Sequence, residues 1–277
     1  MPDAGLTAGA RYVALGSSFA AGPGISPRVP GSPRKAGRSA ANYAHLIAQR
    51  FGLTLDDVTY SGATTHDILT ARDDGWPAQV DAVTADTRLA TITCGGNDLG
   101  YVPRLLLSSL PWPVRALPSI RRRADADADP ELMETRFGEL TGRLAQIATQ
   151  VHRRAPDCRL IFVDYLTLLP PDAGTDTGAL PAEVAAWGRG VARKLSEVTR
   201  AAAEDSAAEG HDRCDFAPAG VASMNHHAWS AVPWTRRFHL GLRGGAPYHP
   251  NAVGMAAVAD LVADILTTLA EPPRWSR

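Results

Sequence analysis

The chain has 277 residues, 45% of them hydrophobic, and 28 Lys and Arg against 29 Asp and Glu, a formal net charge of -1. That length and apolar content can bury a sizeable core as one large domain or two small ones, and they exclude disorder as the default state. The near-neutral balance argues against a nucleic-acid-binding surface as the main business, despite the local run Arg121-Arg122-Arg123, and no run approaches the roughly 18 apolar residues of a membrane span. The amino terminus, MPDAGLTAGARYVALG, lacks a basic leader followed by an apolar core. This predicts a cytoplasmic protein, or a secreted one if an upstream leader has been removed.

The first predicted strand, Tyr12 to Leu15, breaks at Gly16 into Ser17-Ser18 and passes into small residues and Gly22, where a helix can begin. A serine hydroxyl at the carboxyl end of a first strand, beside a helix amino terminus, sits where open α/β sheets bind ligands and where backbone N–H groups favour developing negative charge. Ser18 is therefore the candidate nucleophile. The same residues also suit a phosphate or nucleotide loop, or a plain polar turn.

Gly22 to Arg38 is rich in Pro, Gly, Ser and Arg and reads as a loop bordering the site. Tyr43, Leu46, Ile47 and Phe51 recur at helical spacing and stop at Gly52. Leu53 to Tyr60 reads as a second strand closed by Ser61-Gly62-Ala63-Thr64, where a glycine lets backbone approach a ligand or simply makes a turn. Residues 66–86 look helical in pieces broken around Gly75-Trp76-Pro77, and Leu89 to Cys94 is a short buried strand of the parallel-sheet kind. It runs into Gly95-Gly96-Asn97-Asp98. Asn97 can donate its side-chain N–H₂ to an oxyanion, or cap a helix or turn; Asp98 is expected to orient its loop.

Between 101 and 129 the pattern degrades into an apolar stretch Leu105 to Leu110, prolines at 111, 113 and 118, three arginines and ADADAD, predicting a partly mobile, lid-like insertion over the site. Asp129-Pro130 then caps a long amphipathic helix carrying Met133, Phe137, Leu140, Leu144, Ile147 and Val151. Leu160 to Val163 reads as a fourth strand leading to Asp164-Tyr165 and a Pro-rich loop through Pro171, and Leu180, Val184, Trp187, Val191, Leu195 and Val198 give a second long helix. A fifth short strand near Asp215 to Ala217 completes a parallel sheet with intervening helices. The segment 220–250, dense in His, Trp and Pro, is expected to be a long functional loop. His249 precedes Pro250-Asn251 and a closing helix marked by Val253, Val258, Leu261, Ile265 and Leu269, so it can reach back across the sheet edge toward the first strand. Cys94, Cys158 and Cys214 adjoin apolar runs and lack metal-like spacing, as do His226 and His227. Buried free thiols, a reduced compartment and no metal are expected.

Together GSSFAAG, SGAT, GGND and YHPNAVGMAAVA form an ordered set. The sequence resembles the SGNH (GDSL-type) hydrolases, most of all their actinobacterial lipase/esterase branch, from residue 11 to about 270. The resemblance implies a three-layer α/β/α sandwich with a flavodoxin-like five-stranded parallel sheet, as one domain over 1–277. It implies Ser18 as nucleophile, Gly62 and Asn97 as oxyanion donors, and His249 as general base. Two positions depart from the family pattern: Ser17 stands where an aspartate is usual, and Ala246 where the acid usually lies three residues before the histidine. As in some relatives, a Ser18-His249 dyad is expected, its Nδ1–H accepted by a main-chain oxygen around Ala246; Asp164, Asp212 and Asp215 are the alternative carboxylates.

The expected function is a serine esterase or lipase acting on small-molecule or lipid acyl esters through an acyl-enzyme, without a cofactor, nucleic acid or membrane span. Leu105 to Leu110 with Trp112, and Trp229 with Trp234, are candidate walls of an apolar acyl pocket. A carbohydrate acetyl esterase, an acyltransferase or thioesterase, and a non-catalytic binding module on the same fold are the alternatives.

Overall fold

Alternation at the first strand builds the molecule in three layers. In the computed structural model, which describes residues 6–73, 75–126, 129–209, 213–241 and 245–268, β1 (Arg11–Gly16) sends Val13 and Leu15 into one apolar cluster and Tyr12 and Ala14 into another on the opposite face. Such period-two alternation with both faces buried is what a central parallel strand requires. Each fully buried aliphatic side chain of this kind contributes about 1.5–3 kcal/mol.

From β1 the chain passes through α1 (Ser18–Ala21) and a long loop to α2 (Tyr43–Phe51), capped by the Asn42 side chain on the His45 N–H. It continues through β2 (Thr54–Asp57), α3 (Thr65–Leu69), β3 (Thr87–Thr93), and then α4 (Tyr101–Ser108), α5 (Trp112–Arg115) and α6 (Pro118–Asp125). The long helix α7 (Pro130–Arg154) precedes β4 (Arg159–Val163), α8 (Ala182–Ala208) leads to β5 (Cys214–Ala217), and α9 (Ala219–Ala222) and α10 (Ala252–Thr268) close the order. The five strands are parallel, in the order β2-β1-β3-β4-β5. α2 and α10 pack together on one face, and α7 and α8 on the other. The carboxyl ends of β1 and β3 mark the point where strand order reverses, which is where open sheets bind ligands.

Several elements differ from expectation. β2 is only Thr54–Asp57, a half-exposed edge strand, although Val58 and Tyr60 still donate to Ala14 O and Gly16 O. The stretch from 101 is helical, not irregular: Pro113 and Pro118 occupy the first turns of α5 and α6, where a missing N–H costs nothing and the fixed φ suits a helix start. Asp127, within the acidic run, and Leu269, at the end of the closing helix pattern, lie outside the described residues. The cysteines are buried and free. Among the described residues no helix is long and apolar enough to cross a membrane.

Candidate active site

At the end of β1 the chain turns through Gly16, whose φ of +128° and approach to β3 both demand glycine; a Cβ there would lie 2.4 Å from Thr93 O. Gln79 grips this turn, accepting from the Gly16 N–H at 2.7 Å and donating to its carbonyl at 3.1 Å. The two following serines face different surroundings. Ser17, fully buried at the N-cap of α1, donates its N–H to Thr93 O (2.9 Å) and sets its Oγ 3.1 Å from the Tyr165 hydroxyl. Ser18 is the first residue of α1, and its Oγ lies 2.8 Å from His249 Nε2.

The other ring nitrogen, Nδ1, lies 2.8 Å from Pro247 O. A carbonyl only accepts, so Nδ1 carries the proton and Nε2 is left as the acceptor for the Ser18 hydroxyl. The acceptor is thus Pro247, not Ala246. The reason lies in Tyr248, which has φ of +56° and folds the Pro247 carbonyl back over the imidazole of the residue beyond it. Tyr248 is buried, its hydroxyl 2.7 Å from Ser109 Oγ and its ring beside Trp229 and Phe238. The main chain of this turn is held by reciprocal bonds with Arg236, which donates to His249 O and accepts from the Tyr248 N–H, both at 3.0 Å. Asn251 then caps α10 by accepting from the Gly254 N–H, and a Cβ on Gly254 would fall 2.3 Å from Trp234 O. Burial pushes the His249 imidazole down to about 4, with the Pro247 carbonyl opposing and the Arg236 charge adding to the shift.

No carboxylate bonds His249 among the described residues. Asp164 accepts from Ser196 Oγ and the N–H groups of Tyr165 and Gly220, Asp215 pairs with Arg159, and Asp212 lies outside the described residues.

Gly62 has φ of +84°, open space where a Cβ would be, and an N–H for which no acceptor is found among the described residues. Asn97 donates one amide hydrogen to Ala63 O at 2.8 Å, which anchors the side chain and leaves the second hydrogen to a ligand. Asp98 binds the Thr65 N–H at 3.1 Å and the Thr65 hydroxyl, with Arg143 at 3.7 Å. Burial pushes its carboxyl up, and the Thr65 bonds and Arg143 oppose that. GGND is thus pinned at two neighbouring points, to Ala63 of SGAT and to Thr65 just after it. Tyr165 ties GGND to the serine turn, since its hydroxyl accepts from the Gly96 N–H at 3.1 Å and meets Ser17 Oγ. A Cβ on Gly96 would collide with the Tyr165 ring at 2.8 Å.

Tyr165, Gln79, Arg236 and Pro247 are absent from the sequence-level candidates. Only Tyr165 carries a usable signal, because it follows β4 at the carboxyl edge of the sheet; the others act through tertiary contacts. Leu105 lies fully buried in the core and Trp112 is 71% exposed, so these two do not wall a common pocket. Trp234 stacks on His226 at 4.1 Å and Trp229 lies beside Tyr248, so both shape the histidine loop. A groove of about 760 Å³ along α8, lined by Leu166, Leu168, Arg189 and Met224, includes none of Ser18, Gly62, Asn97 or His249.

A parallel sheet of this order, with serine, glycine, asparagine and histidine blocks along its carboxyl edge, defines the class as the SGNH-type ester hydrolases. The model of the GDSL-like lipase/acylhydrolase family matches residues 14–257, and the chain belongs to that family. It is 32% identical to Lipase 2 of Streptomyces coelicolor over 92% of this chain and 85% of that protein. It is 27% identical to a lipase of Streptomyces rimosus over 88% of this chain and 82% of that one. Among solved structures, phospholipase A1 of Streptomyces albidoflavus superposes with a TM-score of 0.75 at 23% identity, covering 93% of this chain and 99% of that one. The chain is an ester-hydrolysing enzyme.

Proposed function

We propose that the protein hydrolyses carboxylic acyl esters through a Ser18-His249 dyad and a covalent acyl-enzyme. The observation that carries this reading is the contact of 2.8 Å between His249 Nε2 and Ser18 Oγ, with Nδ1 held on Pro247 O. His249 takes the hydroxyl proton as Ser18 Oγ bonds to the ester carbonyl carbon, and the negative charge forms on the carbonyl oxygen. Asn97 Nδ2, the Gly62 N–H and the Ser18 N–H at the start of α1 receive that oxyanion. The imidazolium then protonates the departing alcohol as the C–O bond breaks. Water adds to the acyl-enzyme by the same route, returning its proton through His249 and releasing the carboxylic acid. A main-chain carbonyl orients the imidazole as the usual aspartate would, but it lacks a carboxylate's charge to stabilise the imidazolium.

The substrate class rests on kinship with proteins named as lipases, and favours acyl esters over acetylated sugars. The test is hydrolysis of p-nitrophenyl esters of increasing chain length by wild type, Ser18→Ala and Ser17→Ala. Turnover by wild type, a loss of at least about 10³-fold in Ser18→Ala and a loss within about tenfold in Ser17→Ala are expected. An inert wild type, or a Ser17→Ala variant as dead as Ser18→Ala, overturns the assignment.

A further inference from the structure

The segment carrying α4, α5 and α6 exposes an unusual set of side chains. Three apolar side chains stand close together in sequence at its tip: Trp112 is 71% exposed, Leu117 50% and Val114 40%. An exposed tryptophan flanked by exposed aliphatics is the kind of patch that marks an interaction site, and indole in particular favours the boundary between water and lipid. The tip is fastened to the body. Arg115 donates to Ser108 O at 3.0 Å and to Ala179 O at 3.2 Å, and α6 packs back against α4.

Charge accompanies the apolar tip. Arg121, Arg122 and Arg123 follow on α6 and are all exposed, with Arg121 3.4 Å from Asp125. They begin four residues beyond Leu117, about 6 Å along a helix and so within the screening length of about 8 Å in physiological salt; Asp125 offsets Arg121, and Arg122 and Arg123 leave α6 with a net positive charge. The base of the same segment reaches the active site, because Ser109 Oγ lies 2.7 Å from the Tyr248 hydroxyl, and Tyr248 precedes His249.

We infer that the tip formed by Trp112, Val114 and Leu117, with Arg121 to Arg123 behind it, docks the enzyme onto an anionic lipid surface. The apolar side chains enter the interface and the arginines meet its negative charge, as in amphipathic segments that lie on membranes without crossing them. Docking there presents the active-site edge to esters held in the interface. The choice of esters rests on the proposed hydrolysis, but the surface binding does not.

The test compares wild type, Trp112→Ala and the triple variant Arg121→Gln, Arg122→Gln, Arg123→Gln. Each is assayed for co-sedimentation with phosphatidylcholine vesicles, with and without phosphatidylglycerol, and for hydrolysis of soluble p-nitrophenyl acetate and of an emulsified long-chain ester. Wild type is expected to bind the phosphatidylglycerol vesicles preferentially, and less so as salt rises. Both variants should bind at least tenfold more weakly and lose emulsion activity, while keeping wild-type rates on the soluble ester. Wild type that ignores vesicles, equal binding by all three proteins, or a Trp112-dependent self-association in place of vesicle binding overturns the inference. An enzyme inert toward the soluble ester that still binds vesicles through Trp112 would leave docking intact and refute the hydrolytic reading instead.

Discussion

His249 carries two consequences at the scale of the single residue. Its imidazole is neutral down to about 4 because burial disfavours the cation, with the Arg236 charge acting in the same sense. The acid limb of kcat/KM is therefore expected near pH 4, well below the ordinary histidine value, and Arg236→Gln should move it upward. A limb at the ordinary value in wild type would contradict the burial argument. Asn97→Ala removes a donor aimed at the oxyanion and should lower kcat by about 10²- to 10³-fold with little change in KM, as read by steady-state kinetics on a soluble ester. The pattern GGND makes Asn97 visible in the sequence. Pro247 is not visible, because its role depends on the left-handed turn at Tyr248, a conformation that a tyrosine seldom adopts and that no local pattern announces.

Among elements, the oxyanion loops are paired by Asp98. Its carboxylate spans from the β3–α4 loop to the first residue of α3, whose own N-terminus is secured by the Thr64-Asp67 capping box. Asp98→Ala should leave the Thr65 N–H and hydroxyl without their partner, cost about 1–3 kcal/mol in denaturant unfolding, and lower kcat more than it raises KM, because the loops carrying Gly62 and Asn97 lose their mutual register. A variant with wild-type kcat would limit Asp98 to stability. The long helices were legible for a simple reason. α7 places Met133, Phe137, Leu140, Leu144, Ile147 and Val151 on one buried face, and a stripe repeated over many turns cannot be mistaken for anything else. The short helices α4 to α6 were not legible, since the four residues of α5 and the eight each of α4 and α6 make little more than one or two turns, too few for a period to show, and the prolines that start α5 and α6 resemble breakers.

In the whole molecule, two buried titrations oppose each other. His249 is protonated in the unfolded chain below about 6.5 but in the folded protein only near 4, so the unfolded state binds more protons in that window and stability falls as pH drops through it. Asp164 runs the other way: burial raises it from 3.8 to about 6, so its contribution is full below the unfolded value and is lost as pH rises through the folded one. Relative to wild type, His249→Gln should gain stability as pH falls from about 6.5 to 4, and Asp164→Asn should gain as pH rises from about 4 to 6, both read by urea midpoints across that range. Parallel slopes for either variant and wild type would dismiss that group's part. The residues by themselves determined the alternation of strands and helices and the order of the four motif blocks, and they marked Ser18, Gly62, Asn97 and His249 as candidates, because periodicity, turn chemistry and motif are local properties carried by neighbouring positions. Only the tertiary structure decided which of the two adjacent serines meets the histidine, that Pro247 rather than a carboxylate holds its ring, and that Tyr165 joins the serine turn to GGND. Those outcomes depend on contacts across 231, 2 and 148 positions of the chain, and even the shortest of them is set by a backbone turn that Ser109 and Arg236 impose from elsewhere in the fold.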